Sequence, residues 1–396
     1  MTLTSRVISD LDEWLTLGPV WDGLLAASPD HTPWQGFDYL TNWWRHLSDQ
    51  MPLRVVVVER DRTPCLVLPL QVSKWRGIPG MPVRILEPIS MVMDVNRPRI
   101  ALGPFDEDAY RCAFDCIWSR GDAWDMIRVD EKPWDDAEVY LLRDYALEKL
   151  CVFRQAFSHL VPFLSLRQSW TDFLGHKSQR MRKNLKVARR KLEEHGRVEL
   201  RSYESAAQVL DGLRVVLGLH QRSWKRKDGV EHSKSAGYRL FYSEWVEAMA
   251  KRDQCRALAL FCNGEAVAAT IAFTDGDVYY SAQIVHDSRF AHCSPGTLLE
   301  AMELEKLMTE QRYATYDMLG SFLSNKMRWA EDTTNTAHVL VFQRRFRTCV
   351  MDGYYSWIKP YLRPVVVRWF SALFARKKPT RAPTGNGAAQ GLRKSP

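Results

Sequence analysis

The stretch from Ala257 to Leu319, ALAL FCNGEAVAAT IAFTDGDVYY SAQIVHDSRF AHCSPGTLLE AMELEKLMTE QRYATYDML, decides how the chain is read. Two apolar runs, Ala257 to Cys262 and Ala266 to Thr274, flank Asn263-Gly264-Glu265, and a second tight turn, Asp275-Gly276-Asp277, leads into a third run, Val278 to Val285. Asn-Gly and Asp-Gly supply the left-handed dihedrals of short hairpin turns, so the three runs are expected to form an antiparallel meander. A polar loop, His286 to Cys293, reaches Ser294-Pro295-Gly296. A helix is expected from Thr297 to Gln311 and a return strand from Ala314 to Leu319. Meander, loop, helix and return strand exclude a helical bundle. The class is α/β (α+β), with mixed central sheets flanked by helices.

Upstream, the spacing of Met181, Leu185, Ala188 and Leu192 gives one apolar stripe on a helix predicted from Ser169 to about Glu194, its other faces filled by Arg and Lys. Further helices are expected from Ser205 to about Lys225 and from Gly237 to Lys251. Around 150–166 the pattern loosens, which puts a domain junction there. The first half shows tryptophan-rich helical patterns (Trp14, Trp21, Trp34, Trp43, Trp44), strands at Leu53 to Glu59, Cys65 to Val72, Val83 to Leu86, Arg99 to Leu102 and Trp124 to Val129, and a helix from about Asp106 to Arg120. The expected organisation is 1–155, 156–348, an amphipathic helical segment 349–378 with its apolar face beyond Pro364, and a disordered basic tail 379–396.

The 396 residues carry 55 Lys and Arg against 47 Asp and Glu, a formal charge of +8. The excess is local. Lys177 to Arg201 holds ten basic and three acidic residues, and Arg368 onward holds seven basic and no acidic ones. A uniformly basic nucleic-acid coat is therefore excluded, and nucleic acid is not the expected partner. The N-terminus has no apolar core of a signal peptide, and no run is long enough for a spanning helix. None of the eight cysteines forms a CxxC pair, and Cys112 and Cys116 stand one helical turn apart as packing residues. No metal site is expected, and the reading places the chain in the cytoplasm.

A strand feeding a helix through a glycine-containing turn presents backbone N–H groups backed by the helix dipole, a place for phosphate. Ser294-Pro295-Gly296-Thr297 has that form: Ser to cap, Pro at the first turn, Gly for close approach. It is equally an ordinary helix start.

Several separated segments resemble the GNAT acyltransferase superfamily, and within it the CelD/BcsL type linked with cellulose and exopolysaccharide production. They are Ser178-Gln179-Arg180-Met181-Arg182-Lys183-Asn184-Leu185, Leu219-His220-Gln221-Arg222-Ser223-Trp224, Tyr279 to Val285 with Ser294 to Leu299, and Tyr316-Asp317-Met318-Leu319-Gly320 followed by Asn325-Lys326-Met327-Arg328-Trp329. The resemblance covers about residues 165 to 345. The first half is similar to a degenerate GNAT-like domain, a tandem layout like that of the Fem-type aminoacyl transferases.

The resemblance implies acetyl-CoA or another acyl-CoA as co-substrate, held by Ser294, Pro295, Gly296 and Thr297. Asp317, Lys326, Tyr280 and His220 are implied as catalytic, and Arg180, Arg182, Lys183, Trp224, Arg328 and Trp329 as substrate-binding. The implied acceptor is a sugar, sugar-nucleotide or lipid-linked envelope precursor, with peripheral contact to an anionic membrane at its inner face. Two other classes stay open at this point: an aminoacyl-tRNA-dependent Fem-type transferase, and a non-catalytic GNAT-like binding module. Each residue also has a plain structural role open to it. Asp317 can cap a loop, His220 can sit in a core, and the basic helix can be a solvated face.

Overall fold

The computed structural model describes residues 2–48, 51–75, 82–89, 99–223, 236–320 and 326–353. Trp224, the apolar face beyond Pro364 and the basic tail lie outside these. Residues 1–344 form one compact unit, and a second begins at Arg345 with the short helix Phe346–Gly353.

The first half of the unit comprises β1 (Leu3–Ile8), α1 (Leu11–Leu15), α2 (Gly18–Ala27), α3 (Phe37–Leu47), β2 (Val55–Arg60), β3 (Thr63–Leu68), β4 (Leu70–Trp75), β5 (Val83–Pro88), α4 (Glu107–Ser119), β6 (Met126–Pro133) and α5 (Ala137–Glu148). Then follow β7 (Val152–Ser165), α6 (Trp170–His176), α7 (Gln179–Glu193), β8 (Val198–Tyr203), α8 (Ala206–Arg222), α9 (Ala236–Lys251), β9 (Cys255–Cys262), β10 (Glu265–Asp275), β11 (Val278–His286), α10 (Pro295–Glu310), β12 (Thr315–Asp317) and β13 (Asp332–Phe342). The expected meander is β9, β10 and β11, with Asn263 (φ 48°), Gly264 (φ 78°) and Gly276 (φ 54°) in the left-handed region at its turns.

The mixed α/β class holds. A three-stranded sheet runs β1-β2-β3, and a ten-stranded one runs β4-β5-β6-β13-β7-β12-β11-β10-β9-β8. Among the described residues the parallel pairs of the large sheet are β5/β6 and β11/β12, each with one crossover helix, α4 and α10. β13 inserts between β6 and β7, pairing Val341 with both Ile127 and Phe153, so the last strand of the unit joins the early strands to the later ones.

Several expectations are corrected here. The helix predicted from Ser169 to Glu194 is two, because Lys177 is extended and Ser178 starts a new helix by accepting from the Met181 amide. The loosened stretch 150–166 is the 14-residue strand β7, whose Arg154, Gln155, His159 and Pro162 break the apolar pattern. Arg99 to Leu102 contributes a single bridge, Leu102 to Val67, in place of a strand.

Helices cover the later sheet on both faces. On one, α8 and α9 join α1–α3 in a core containing Trp14, Trp21, Trp34, Trp43, Trp245, Phe273 and Tyr280. On the other, α6, α7 and α10 pack over Tyr279, Tyr316 and Trp329. The early sheet has its own core with α4 and α5. Among the described residues no helix is long and apolar enough to cross a membrane.

Candidate active site

β11 and β12 pair over three residues only, Val278 with Thr315, Tyr279 with Tyr316 and Tyr280 with Asp317. β12 then ends, while β11 runs on to His286 beside β10. The sheet therefore forks at Tyr280 and Asp317. At the same level the β10/β11 register slips: Ile271 faces Gln283 and Ala272 faces Ser281, leaving Ala282 as the extra residue of a bulge. A bulge bends and twists its strand and re-aims the side chains beyond it. Thus Tyr280 and Val285 face the tryptophan-lined core, Tyr279 faces α10, and Ile284 and His286 lie against the start of α10.

α10 crosses β11 at Gly296. A Cβ built there would meet His286 Nδ1 at 3.5 Å and Ile284 Cγ2 at 3.7 Å. An added Cβ would thus make only ordinary van der Waals contact with the strand. Ser294 is left-handed (φ 52°) and its side chain makes no capping bond, contrary to the expectation that it caps. No acidic residue stands in the first turn, and Pro295 occupies the first helical position. This helix start keeps its positive dipole end unopposed by its own side chains.

At the fork, Asp317 is buried and accepts the Leu319 amide at 2.9 Å. Leu319 (φ 51°) and Gly320 (φ 65°) form a tight left-handed turn, and Lys326 Nζ donates to the Leu319 carbonyl. Asp317 and Lys326 thus secure the same turn from opposite sides. Tyr280 is packed edge-on to Trp34, ring centroids 5.3 Å apart, so a first-half residue forms one wall of the fork. His220 reaches β11 from α8 and pairs with the Gln283 side chain just past the bulge.

Tyr280 and Asp317 are thus register partners, Lys326 secures the turn that follows, and further along β11 His220 reaches Gln283 while the start of α10 lies against Ile284 and His286. The structure sets the other predicted residues apart. Arg182 Nη1 donates to the carbonyls of Leu174 and Gly175 at the end of α6, while Arg180 and Lys183 lie exposed on α7. Lys191, at the other end of α7, approaches the His292 carbonyl beside the loop. Arg328 is exposed, whereas Trp329 is fully buried against Phe173 and Trp170 and donates to Glu300 at 2.6 Å.

Glu300 and Glu303 were missed in the sequence. Both lie buried on α10 behind the fork. Glu303 accepts from Tyr279 at 2.7 Å and Tyr316 at 2.8 Å. Burial, with repulsion from Glu303, pushes Glu300 up to about 8 against the opposing Trp329 bond. Burial pushes Glu303 up to about 7 against its tyrosine bonds. The signal was available: Glu300, Glu303 and Leu307 share one face at spacings of three and four, and that face continues the apolar stripe.

Residues 179–329 match the family model described as an acetyltransferase (GNAT) domain. No curated protein matches the sequence. Among solved structures the chain is similar to FemX, with a TM-score of 0.55 and 10% identity over 84% of this chain and 96% of that one. It is also similar to a conserved protein of unknown function from Bacteroides thetaiotaomicron, with a TM-score of 0.50 and 11% identity over 85% and 99%. At such identities the likeness is one of fold.

Proposed function

We propose that the chain is an acyl-CoA-dependent N- or O-acyltransferase, with acetyl-CoA as donor. The observation that carries this is the coincidence of a forked parallel strand pair with an acid-free, self-uncapped helix start at its open side. The Ser294–Thr297 turn receives the donor's pyrophosphate, because N–H groups at a helix start and the dipole behind them favour negative charge. The thioester lies in the fork, where β11 runs on past the end of β12. No acidic side chain in the first turn opposes the phosphates, so the residues present fit this donor.

The acceptor amine or hydroxyl attacks the thioester carbonyl. A C–N or C–O bond forms, the C–S bond breaks, and the CoA thiolate leaves. Backbone N–H groups of β11 polarise the carbonyl oxygen. Asp317 and Tyr280, register partners at the fork, take the proton roles: the acid receives the acceptor's proton and the phenol supplies one to the departing thiolate. His220, held by Gln283, and the exposed Arg328 meet the acceptor, while Glu300 holds Trp329 behind the Lys326–Trp329 turn. The acceptor is a sugar, sugar-nucleotide or lipid-linked envelope precursor, and the basic apolar segment beyond Pro364 gives the chain a peripheral hold on an anionic membrane.

The test is calorimetric titration of the full chain with acetyl-CoA, longer acyl-CoAs, free CoA and charged tRNA, paired with release of CoA thiol in the presence of amino-sugar acceptors. Acyl-CoA binding with thiol release supports the proposal. Binding of charged tRNA alone supports the Fem-type alternative, and binding of acyl-CoA with no thiol release for any acceptor supports the non-catalytic one. Asp317→Asn is expected to lower turnover about 100-fold with its melting temperature nearly unchanged, because asparagine still accepts the Leu319 amide.

A further inference from the structure

His195 follows α7, and His292 and Cys293 close the 3-10 turn Ser288–Cys293 that precedes α10. The fold brings them together across 97 residues, with His195 Nε2 and His292 Nε2 3.2 Å apart. One donor atom from each of His195, His292 and Cys293 lies within 4.8 Å of the other two. Both histidines are exposed and the thiol is buried, so the cluster opens to solvent on one side and rests on the core at the other.

We propose that His195, His292 and Cys293 bind one borderline divalent cation, Zn2+ or its like, as a three-ligand site with an exchangeable fourth position. Two imidazoles and one thiolate are the ligand chemistry that zinc takes. A tetrahedral centre with Zn–N of about 2.0–2.1 Å sets its two nitrogens about 3.3 Å apart, which is the separation already present. With Zn–S of about 2.3 Å the thiol stands about 3.5 Å from each nitrogen, so from within 4.8 Å it has to close by no more than roughly 1.3 Å.

The platform is fixed by groups that do not ligate. Asn263 donates to the His195 carbonyl at 3.0 Å and accepts from the Arg197 amide at 2.9 Å. Gly196 between them (φ 139°) has no room for a Cβ, which would lie 2.0 Å from the Asn263 side chain. Phe290 meets the His195 ring edge-on at 5.6 Å. Lys191 and Glu194 flank the thiol with opposite charges, so the local field does not exclude a cation. Binding displaces the thiol proton, so affinity rises with pH. The proposal does not depend on the identity of the acyl donor.

The full chain, stripped with chelator and kept reduced, is titrated with Co2+ and then with Zn2+. One equivalent of Co2+ giving tetrahedral visible bands and a thiolate charge-transfer band, bleached by one equivalent of Zn2+, is the expected result. His195→Ala and His292→Ala, both at exposed positions, each weaken binding by at least about tenfold, and Cys293→Ser removes the charge-transfer band. Should Cys293→Ser fail to fold, the two histidine variants carry the test. Bands that persist unchanged in the His195→Ala/His292→Ala double variant place the metal at other cysteines and overturn the proposal. So does the absence of stoichiometric uptake, which leaves only an imidazole pair hydrogen-bonded across two loops.

Discussion

The large sheet contains the same unit twice, β5–α4–β6 and β11–α10–β12, and the two differ at the start of the crossover helix. Asp106 caps α4, its carboxylate accepting the amides of Asp108 and Ala109, with Glu107 and Asp108 adding charge in the first turn. Asp106 is also ion-paired with Arg60. In α10 the corresponding turn has a left-handed serine that caps nothing, then Pro295 and Gly296, with no acid. An anion arriving at α4 meets negative charge and amides already taken; at α10 it meets neither. The fold alone does not make an anion site. A few residues at the helix start set the two copies apart.

The buried carboxylates repeat the contrast. In the first half, burial pushes Glu138 up, but Lys132 and Arg99 outweigh it and hold it below its ordinary value. Tyr110 and the Ile100 amide complete its bonds. In the second half burial pushes Glu300 and Glu303 up, and their indole and phenol hydrogen bonds offset it only in part. One cluster is a satisfied structural charge. The other keeps protons beneath the candidate site.

The sharpest way to test that contrast is Glu138→Gln. It leaves Lys132 and Arg99 without their shared acid and should cost about 3–5 kcal/mol in denaturant unfolding, with acetyl-CoA affinity of the folded protein unchanged. Gly296→Val comes next. A Cβ alone would make ordinary contacts with His286 and Ile284, but the two γ-methyls crowd the turn proposed to take the donor's pyrophosphate, and calorimetry should show donor affinity falling by at least about 100-fold, about 2.7 kcal/mol. A Val variant that binds like the parent reduces the turn to a helix start.

The Glu300–Glu303 pair gives a pH signature of opposite sign to Glu138. Both later acids titrate above their unfolded value, so their contribution is complete below about pH 4.5 and is lost as pH rises through about 7 to 8. Between pH 6 and 8.5 the parent should lose on the order of 2 kcal/mol, and Glu300→Gln should lose much less. Glu138, held low, loses its contribution only as pH falls in the acid range. Ser294→Asp, which gives α10 an acidic start like that of α4, should weaken acetyl-CoA by about tenfold, since charge at a helix end is worth up to about 2 kcal/mol. The smallest effect is Asp106→Ala. Loss of that cap should cost about 1 kcal/mol in stability and leave donor binding untouched.

What the sequence disclosed follows from how local each signal is. The meander was legible because Asn263-Gly264 and Gly276 fix its turns within a few residues. The position of α10 was legible from Pro295 and Gly296. The exchange of β13 into the sheet was not, because the partners of Asp332–Phe342 lie in β6 and β7, far back in the chain. Ser294 misled in a different way: serine commonly caps, but its left-handed backbone here turns the hydroxyl away from that role. Of the candidate residues, Tyr280 and Asp317 were named from their place on strands, and the structure makes them register partners. Glu300 and Glu303 were passed over because acids on a helix ordinarily face water. Trp329 was named as a substrate contact, yet its indole is spent on Glu300 inside the core.

The central claim is that the second copy of the repeated unit, and not the first, receives the acyl donor. Hydrogen–deuterium exchange of the full chain with and without saturating acetyl-CoA tests it directly. Slowed exchange is expected in residues 281–286 and 296–299, with no change in 83–87 and 107–111. No protection at the start of α10, or protection at the start of α4 in its place, would contradict it.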